Sequence, residues 1–326
     1  MKKTIILLGS LVLLVGLAEA GVLLQVRIPR WPLAAALSSL ALLLLAFVGF
    51  TTTAFVRQLR HWATESALLA FGMPFLLLIP YLVFAYGTGT FNLVALGKFA
   101  AYIAVPVLLL LPNRLRPMQR LSWRDLAAMV ALGLPIAAHW LNGIWTWPSG
   151  LDLLRPFFAV CVAAYSFAVI RNLEGIGFRL GWRKGDLTDG LANFAFLALL
   201  VVPLGVALDF LHPRASAEVS VLQFFLQLAI VYFTVAIPEE LLFRGILQNL
   251  LAKTLVAKRR SLYALLMTAI LFGLAHLHHP PTPNWRYAIL ATIAAIFYGN
   301  AYRTRQRLSA GALPHALANT VWYFWF

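Results

Sequence analysis

Charged residues are scarce in this chain: they make up 11% of its 326 residues, against about 25% in an average soluble domain. That scarcity excludes an ordinary soluble enzyme, and the hydrophobic fraction of 62% excludes a disordered chain. The 26 Lys and Arg residues outnumber the 11 Asp and Glu residues, but apolar runs separate them, whereas a nucleic-acid-binding protein concentrates its basic residues on one face. The composition therefore predicts an integral membrane protein that binds no nucleic acid.

Several other features are also missing. The chain has a single cysteine, Cys161, in an apolar run, so an intrachain disulfide is excluded. It lacks the H-E-x-x-H motif of helical zinc proteases and the G-x-S-x-G motif of serine hydrolases. It has no pair of aspartates at the centre of two apolar runs, which argues against an aspartyl protease. An internal repeat is absent as well.

Continuous apolar runs of the roughly 20 residues that a membrane helix needs fill most of the chain. The predicted fold class is therefore all-α, a polytopic transmembrane helical bundle of about eleven spans. These runs lie near residues 4–26, 32–56, 66–86, 94–112, 125–145, 153–170, 188–208, 221–251, 261–278, 286–302 and 308–326. We favour an uncleaved first span over a signal peptide cut near residue 20, because apolar residues resume at 21–26.

The basic residues predict the orientation of these spans. With a cytoplasmic N-terminus, nineteen of the 26 Lys and Arg residues lie on the cytoplasmic side, six lie on the opposite side, and Arg244 lies within a span. Such a bias is typical of multi-pass proteins, and we expect this one in the plasma (inner) membrane. The polar segment 171–187 predicts a division into an N-terminal helical region of unknown role, 1–170, and a C-terminal domain, 180–326.

Two adjacent acidic residues, Glu239 and Glu240, lie in the middle of the eighth apolar run. Ionisable groups inside a membrane are costly and by default mark function. Glu240 and Arg244 are four residues apart and share a helix face, so we interpret them as a buried structural ion pair. Glu239 points elsewhere and is the candidate general base for water. The alternative is that the whole group is a structural polar cluster that ties helices together.

Two further spans each carry a polar cluster. His276 ends the ninth run, one turn after Phe272, which could wall the same pocket. His315 and Asn319 share a face in the eleventh run, and both can donate hydrogen bonds. Taken singly, each could be a packing contact. Together with Glu239 they form a hydrolytic set, in which His276 positions the water that Glu239 activates. The other two side chains would donate to the developing oxyanion.

At these residues the sequence resembles the CPBP or Abi intramembrane proteases, which include the type II CAAX prenyl endopeptidases. The family motifs EExxxR, FxxxH and HxxxN read here Glu239-Glu240-x-x-x-Arg244, Phe272-x-x-x-His276 and His315-x-x-x-Asn319. The resemblance covers roughly residues 180–326 and implies a C-terminal intramembrane protease core. It implies that Glu239 and His276 hold the attacking water. It also implies that His315 and Asn319 form the oxyanion site, and that Glu240 and Arg244 are structural.

Members of this family are commonly described as metalloproteases, so we also considered whether this chain binds a metal ion. Glu239, His276 and His315 could form a zinc set with one open position. We favour a metal-free mechanism without a cofactor, because Glu239 then keeps its role as the base and His315 remains a donor beside Asn319. Zinc is the alternative.

The expected partners are the lipid bilayer and a membrane-associated protein or peptide substrate. Intramembrane Glu, His and Asn side chains also form ion or proton relays, so a polytopic transporter is an alternative function, although transporters commonly show internal repeats. A second alternative is an immunity protein that binds a peptide or lipid without cleavage. The sequence does not identify the substrate or say whether it is prenylated.

Overall fold

The computed structural model describes residues 29–115, 119–145, 154–214 and 218–326. These residues contain no β-strand, which confirms the predicted all-α class. The described part forms eleven continuous helical segments: α1 Arg30–Thr51, α2 Thr53–Glu65, α3 Ala67–Thr88, α4 Leu93–Asn113, α5 Trp123–Ala137, α6 Leu154–Ile170, α7 Lys184–Ala207, α8 Val221–Thr254, α9 Arg260–Leu274, α10 Trp285–Arg305 and α11 Leu308–Trp325.

Five of these helices, α1, α3, α4, α7 and α8, are long and apolar enough to cross a membrane. Helices α6 and α9 are apolar but shorter. The chain is therefore an integral membrane protein, as its composition indicated, while the count of about eleven spans stays a prediction. The first predicted span, 4–26, lies outside the described residues.

The apolar run at 32–56 does not form a single span. Helix α1 ends at Thr51, and Thr52 has extended backbone angles, φ −101° and ψ 133°. The Thr52 hydroxyl accepts a hydrogen bond from the backbone N–H of Phe55 at 3.4 Å, which caps a new helix, α2. This helix is amphipathic and buries only Val56, Leu59 and Ala63. The prediction of one continuous span was therefore wrong at its C-terminal end.

The chain divides into two compact units. The first contains the described residues before 119 together with Ser122–Leu173, and the second contains Gln119–Leu121 together with Glu174–Phe326. Helices α1 to α6 belong to the first unit, and α7 to α11 belong to the second. The division into domains at 1–170 and 180–326 stays a prediction, and so do the roles assigned to the two domains.

The N-terminal unit contains a buried ion pair that the sequence did not reveal. Asp125 Oδ1 lies 2.5 Å from Arg171 Nε, and both side chains are fully buried. Asp125 also accepts hydrogen bonds from the backbone N–H and the hydroxyl of Ser122, which closes a capping box at the start of α5. Each charge is tolerated in the interior because the other one is its partner.

In the C-terminal unit, α7 packs on α10 and α11, and α9 packs on α10. Helix α8 is irregular. Its α-helical turn Ile237–Glu240 lies between two π-helical segments, Tyr232–Ala236 and Leu241–Gln248. Single π-helical turns inside α-helices are frequent at functional sites. The two mid-span glutamates therefore lie in the most irregular part of this helix.

Candidate active site

Glu240 is fully buried and contacts two charged or polar side chains. Its Oε2 lies 3.2 Å from Arg244 Nε, one turn further along α8. Its Oε1 lies 3.0 Å from His315 Nδ1 in α11. An ionised carboxylate can only accept, so the hydrogen of this second contact is on Nδ1 of the histidine. Glu240 thus joins the ion pair to the third motif.

Arg244 is also buried and connects three helices. Its Nη2 donates to the backbone carbonyl of Ala295 in α10 at 3.1 Å. Its guanidinium lies 4.8 Å from the ring centroid of Phe272 in α9, and such a cation–π contact contributes about 2 kcal/mol when it is desolvated. Arg244 thus joins α8 to α9 and α10, and its structural role stays a prediction.

His315 lies between two carboxylates. Its Nε2 is 3.7 Å from Glu239 Oε2, on the side away from Glu240. The imidazole stacks on the ring of Tyr298, with centroids 4.5 Å apart and planes inclined by 6°. Phe272 contacts it edge to face at 5.8 Å. These neighbours orient the ring so that Nε2 faces Glu239.

His276 lies in the turn that follows α9 and is half-buried. Its Nδ1 is 2.7 Å from the backbone carbonyl of Phe272. Because a carbonyl can only accept, Nδ1 carries the hydrogen, and the neutral ring keeps its lone pair on Nε2. Tyr287 in α10 packs against the ring edge to face at 4.7 Å. His276 is therefore held as a hydrogen-bond acceptor.

Glu239 differs from its neighbour in exposure. Its side chain is 35% exposed, whereas that of Glu240 is fully buried. Adjacent residues on a helix point about 100° apart, so the two carboxylates diverge. One faces the protein interior, and the other lines a cavity.

That cavity has a volume of about 270 Å³ and brings the predicted site residues together. Five of them line it: Glu239, Phe272, His276, His315 and Asn319. Within the part of the chain that the structure describes, the Asn319 side chain has no hydrogen-bond partner, so its amide is available to a substrate. The other walls are mainly apolar and include Leu197, Val201, Phe210, Leu290 and Trp322.

A catalytic zinc ion needs three protein ligands arranged around one point. Among the described residues, no group of three His, Cys, Asp or Glu side chains could hold a metal ion. Glu239, His276 and His315 share the cavity but do not form such a group as they are placed. The zinc alternative gains no support from this geometry and stays a prediction.

Three residues that line the cavity were not identified as site residues from the sequence: Tyr287, Tyr298 and His279. His276 and Tyr287 flank a short proline-containing connection between α9 and α10. Because the connection is short, the sequence could have predicted that these two residues lie close together. The stacking of Tyr298 on His315 had no such signal, because it requires the packing of α10 on α11.

Comparison with known proteins concerns the C-terminal unit. Residues 221–321 match the sequence profile of a family described as type II CAAX prenyl endopeptidase Rce1-like. This range contains all three motifs but not α7, which supplies one wall of the cavity. No curated protein and no solved structure matches the chain. The resemblance that the three motifs indicated is thereby confirmed for residues 221–321.

Proposed function

We propose that the chain is an intramembrane endopeptidase that hydrolyses a peptide bond of a membrane-associated protein or peptide. The observation that supports this function best is that Glu239, His276 and Asn319 reach one cavity from three separate parts of the chain. The cavity is otherwise mainly apolar, and fixed polar groups have large electrostatic effects in such a site. The family match supports the assignment of the chain to the peptidases.

Glu239 is the general base in this proposal. Water bound between the Glu239 carboxylate and Nε2 of His276 gives a proton to Glu239 while its oxygen attacks the peptide carbonyl carbon. The C–N bond then breaks as the tetrahedral intermediate collapses. Glu239 returns the proton to the leaving nitrogen, so the reaction consumes one water and yields a carboxyl and an amino terminus.

Asn319 is the principal oxyanion donor in this mechanism, because its side-chain N–H groups are unengaged within the described residues. His315 has a more conditional role than the sequence suggested. In its neutral form its hydrogen is on Nδ1, facing Glu240, and Nε2 can donate to an oxyanion only when the ring is protonated. Glu240 then acts as a positioning residue for His315 as well as the partner of Arg244.

The substrate stays open within this function. The family description names a CAAX prenyl endopeptidase, so a prenylated C-terminal peptide is one candidate. The apolar walls would equally accept a leader peptide, a signal remnant or a segment of a regulatory membrane protein. We place the protein in the plasma membrane with a cytoplasmic N-terminus, as its basic residues predict. No step of the mechanism requires a metal ion.

The test is a comparison of membrane peptides from cells that carry the wild type or Glu239→Gln. This substitution keeps the size of the side chain and removes the base, which contributes about 10²–10⁴-fold to a hydrolysis rate. We expect the cleavage products of the wild type to disappear and uncut substrate to accumulate. Quantitative mass spectrometry of newly formed peptide ends measures both.

Glu218→Gln is the matched control, because Glu218 is exposed just before the start of α8 and the proposal gives it no role. It should leave the cleavage products unchanged. Identical peptides from wild type and Glu239→Gln, with both proteins folded, would refute the protease and favour a transporter or a non-cleaving protein. Loss of activity with a chelator, restored by zinc, would replace the metal-free mechanism with the zinc alternative.

A further inference from the structure

The two ends of the C-terminal unit differ sharply in charge. Eleven basic residues lie at the end where α7, α9 and α11 begin and where α8 and α10 finish; we refer to it as the basic end. They are Arg120, Arg179, Arg183, Lys184, Lys253, Lys258, Arg259, Arg260, Arg303, Arg305 and Arg307. Among the described residues, the opposite end carries only Arg214 and Arg286 as basic residues. Acidic residues contribute little to membrane orientation, so the count of basic residues is the relevant one.

Contacts between helices establish that these are two separate ends. At the basic end, Arg307 Nε lies 2.8 Å from Asp186 Oδ2, and this pair joins the starts of α11 and α7. At the opposite end, Arg286 Nη1 donates to the backbone carbonyl of Asp209 at 3.0 Å and joins the start of α10 to the segment after α7. The backbone N–H of Arg214 donates to the carbonyl of Trp325, the last residue of α11.

The catalytic cavity extends toward the opposite end. Its lining there includes Phe210, Tyr287 and Trp322, whose ring centroids lie 5.3–5.4 Å apart. His279, which also lines the cavity, is exposed. No residue of the basic end lines the cavity.

Basic residues are retained on the cytoplasmic side of membrane proteins, so the basic end is the cytoplasmic one. We propose that the cavity opens to the extracytoplasmic side and that the substrate is a polypeptide whose cleavage site lies in the outer half of the membrane. This inference rests on the proposed function and narrows its substrate class. The occupant is an extended apolar segment of a translocated protein, since the walls of the cavity are mainly apolar. A lipidated C-terminus presented from the cytoplasm is the outcome that would contradict it.

The first test measures sidedness without relying on activity. The single cysteine, Cys161, is buried, and a Cys161→Ala background allows single cysteines to be introduced. His278→Cys puts a thiol on an exposed turn at the opposite end, and Val256→Cys puts one at the basic end, where Val256 is 93% exposed. Neither residue lines the cavity. A membrane-impermeant maleimide is added to intact and to permeabilised cells.

We expect His278→Cys to react in intact cells and Val256→Cys to react only after permeabilisation. The reverse pattern would overturn the proposal. A third variant, Ala318→Cys, puts a thiol in the cavity itself, and a small charged thiosulfonate should reach it from outside intact cells. If Ala318→Cys reacts only from the cytoplasmic side while His278→Cys reacts from outside, the orientation holds and the position of the opening is wrong.

Comparison with the cleavage experiment separates the two proposals. Suppose that His278→Cys and Ala318→Cys both react from outside the cell, but wild type and Glu239→Gln give identical peptides. This result would refute the protease activity and support the proposal that the cavity opens to the extracytoplasmic side. Cleavage products that depend on Glu239, together with labelling of the cavity from the cytoplasm, would support the protease activity and refute the extracytoplasmic opening. New peptide ends that map to extracytoplasmic segments would support both.

Discussion

Both units of this protein bury an arginine beside a carboxylate, and the two pairs differ in what else the carboxylate contacts. In the N-terminal unit, Asp125 faces Arg171, and its remaining capacity is taken by Ser122 at the start of a helix. In the C-terminal unit, Glu240 faces Arg244 on one side and His315 on the other. The second pair adjoins a cavity that is lined by His315 and by another carboxylate, Glu239.

The difference shows that a buried charge inside a membrane protein is not sufficient to identify a catalytic site. A paired and capped carboxylate such as Asp125 has no capacity left for a substrate. Glu240 is also enclosed, with Oε1 on His315 Nδ1 and Oε2 3.2 Å from Arg244 Nε, but the histidine that it contacts lines the cavity. In the proposed mechanism the group that reacts is the neighbouring Glu239, whose side chain is 35% exposed and lines the cavity.

The comparison is tested most strongly by removing each buried carboxylate. Glu240→Ala and Asp125→Ala should each reduce the free energy of unfolding by about 3–5 kcal/mol, because each leaves an arginine buried without its partner. Thermal unfolding of the detergent-solubilised protein measures this loss of stability.

Glu240→Ala should also slow cleavage per folded molecule, since His315 loses its orienting contact. Asp125→Ala should leave the cleavage rate per folded molecule unchanged. Glu239→Ala is the control and should fold in normal yield; the opposite order of yields would exchange the roles of the two glutamates.

A smaller effect is expected on the oxyanion site. Asn319→Leu keeps the approximate size of the side chain and removes the amide donors, which should lower kcat by about 10²–10³-fold, or roughly 2.7–4 kcal/mol. Asn300→Ala is the control, because Asn300 donates to Asn193 at 3.1 Å and does not line the cavity. It should cost about 1 kcal/mol of stability and leave kcat unchanged. Equal kcat values for Asn319→Leu and the wild type would remove Asn319 from the mechanism.

The smallest effect concerns the packing around Glu240. A Cβ atom at Gly311 would lie 2.8 Å from Glu240 Oε2 and 2.9 Å from the backbone carbonyl of Tyr298. Gly311→Ala should therefore cost about 1–3 kcal/mol, as overpacking of a core does, and should also reduce activity by displacing the carboxylate that holds His315. Gly97→Ala in α4 meets no atom within 4 Å and should not destabilise the protein. An undisturbed melting temperature for Gly311→Ala would show that Glu240 has freedom to move.

Much of the candidate site was predictable because its motifs are local. The four-residue spacing of Glu240 and Arg244 predicts one helix face, and the structure has the two side chains 3.2 Å apart. The spacing of Phe272 and His276 likewise predicts neighbours, and their rings lie 4.7 Å apart. The contact of Glu240 with His315 spans 75 residues, and nothing in either segment encodes that distance.

Helix boundaries and burial were harder to predict. The apolar run at 32–56 gives no warning that Thr52 caps a second helix, because a threonine in an apolar run can also continue a helix. Asp125 and Asp186 look like ordinary residues of loops and helix starts, yet both are fully buried. Their burial depends on arginines that are distant in the chain, Arg171 and Arg307.

The sequence by itself determined that this is an all-helical membrane protein and which residues carry the family motifs, since hydropathy and spacing along a helix are local properties. It also contained the asymmetry of basic residues from which we infer the orientation. Only the tertiary structure decided that Glu239 faces a cavity while Glu240 is enclosed, and that this cavity extends away from the basic end. Those facts depend on how α7, α10 and α11 pack around α8, and such packing joins residues far apart in the chain.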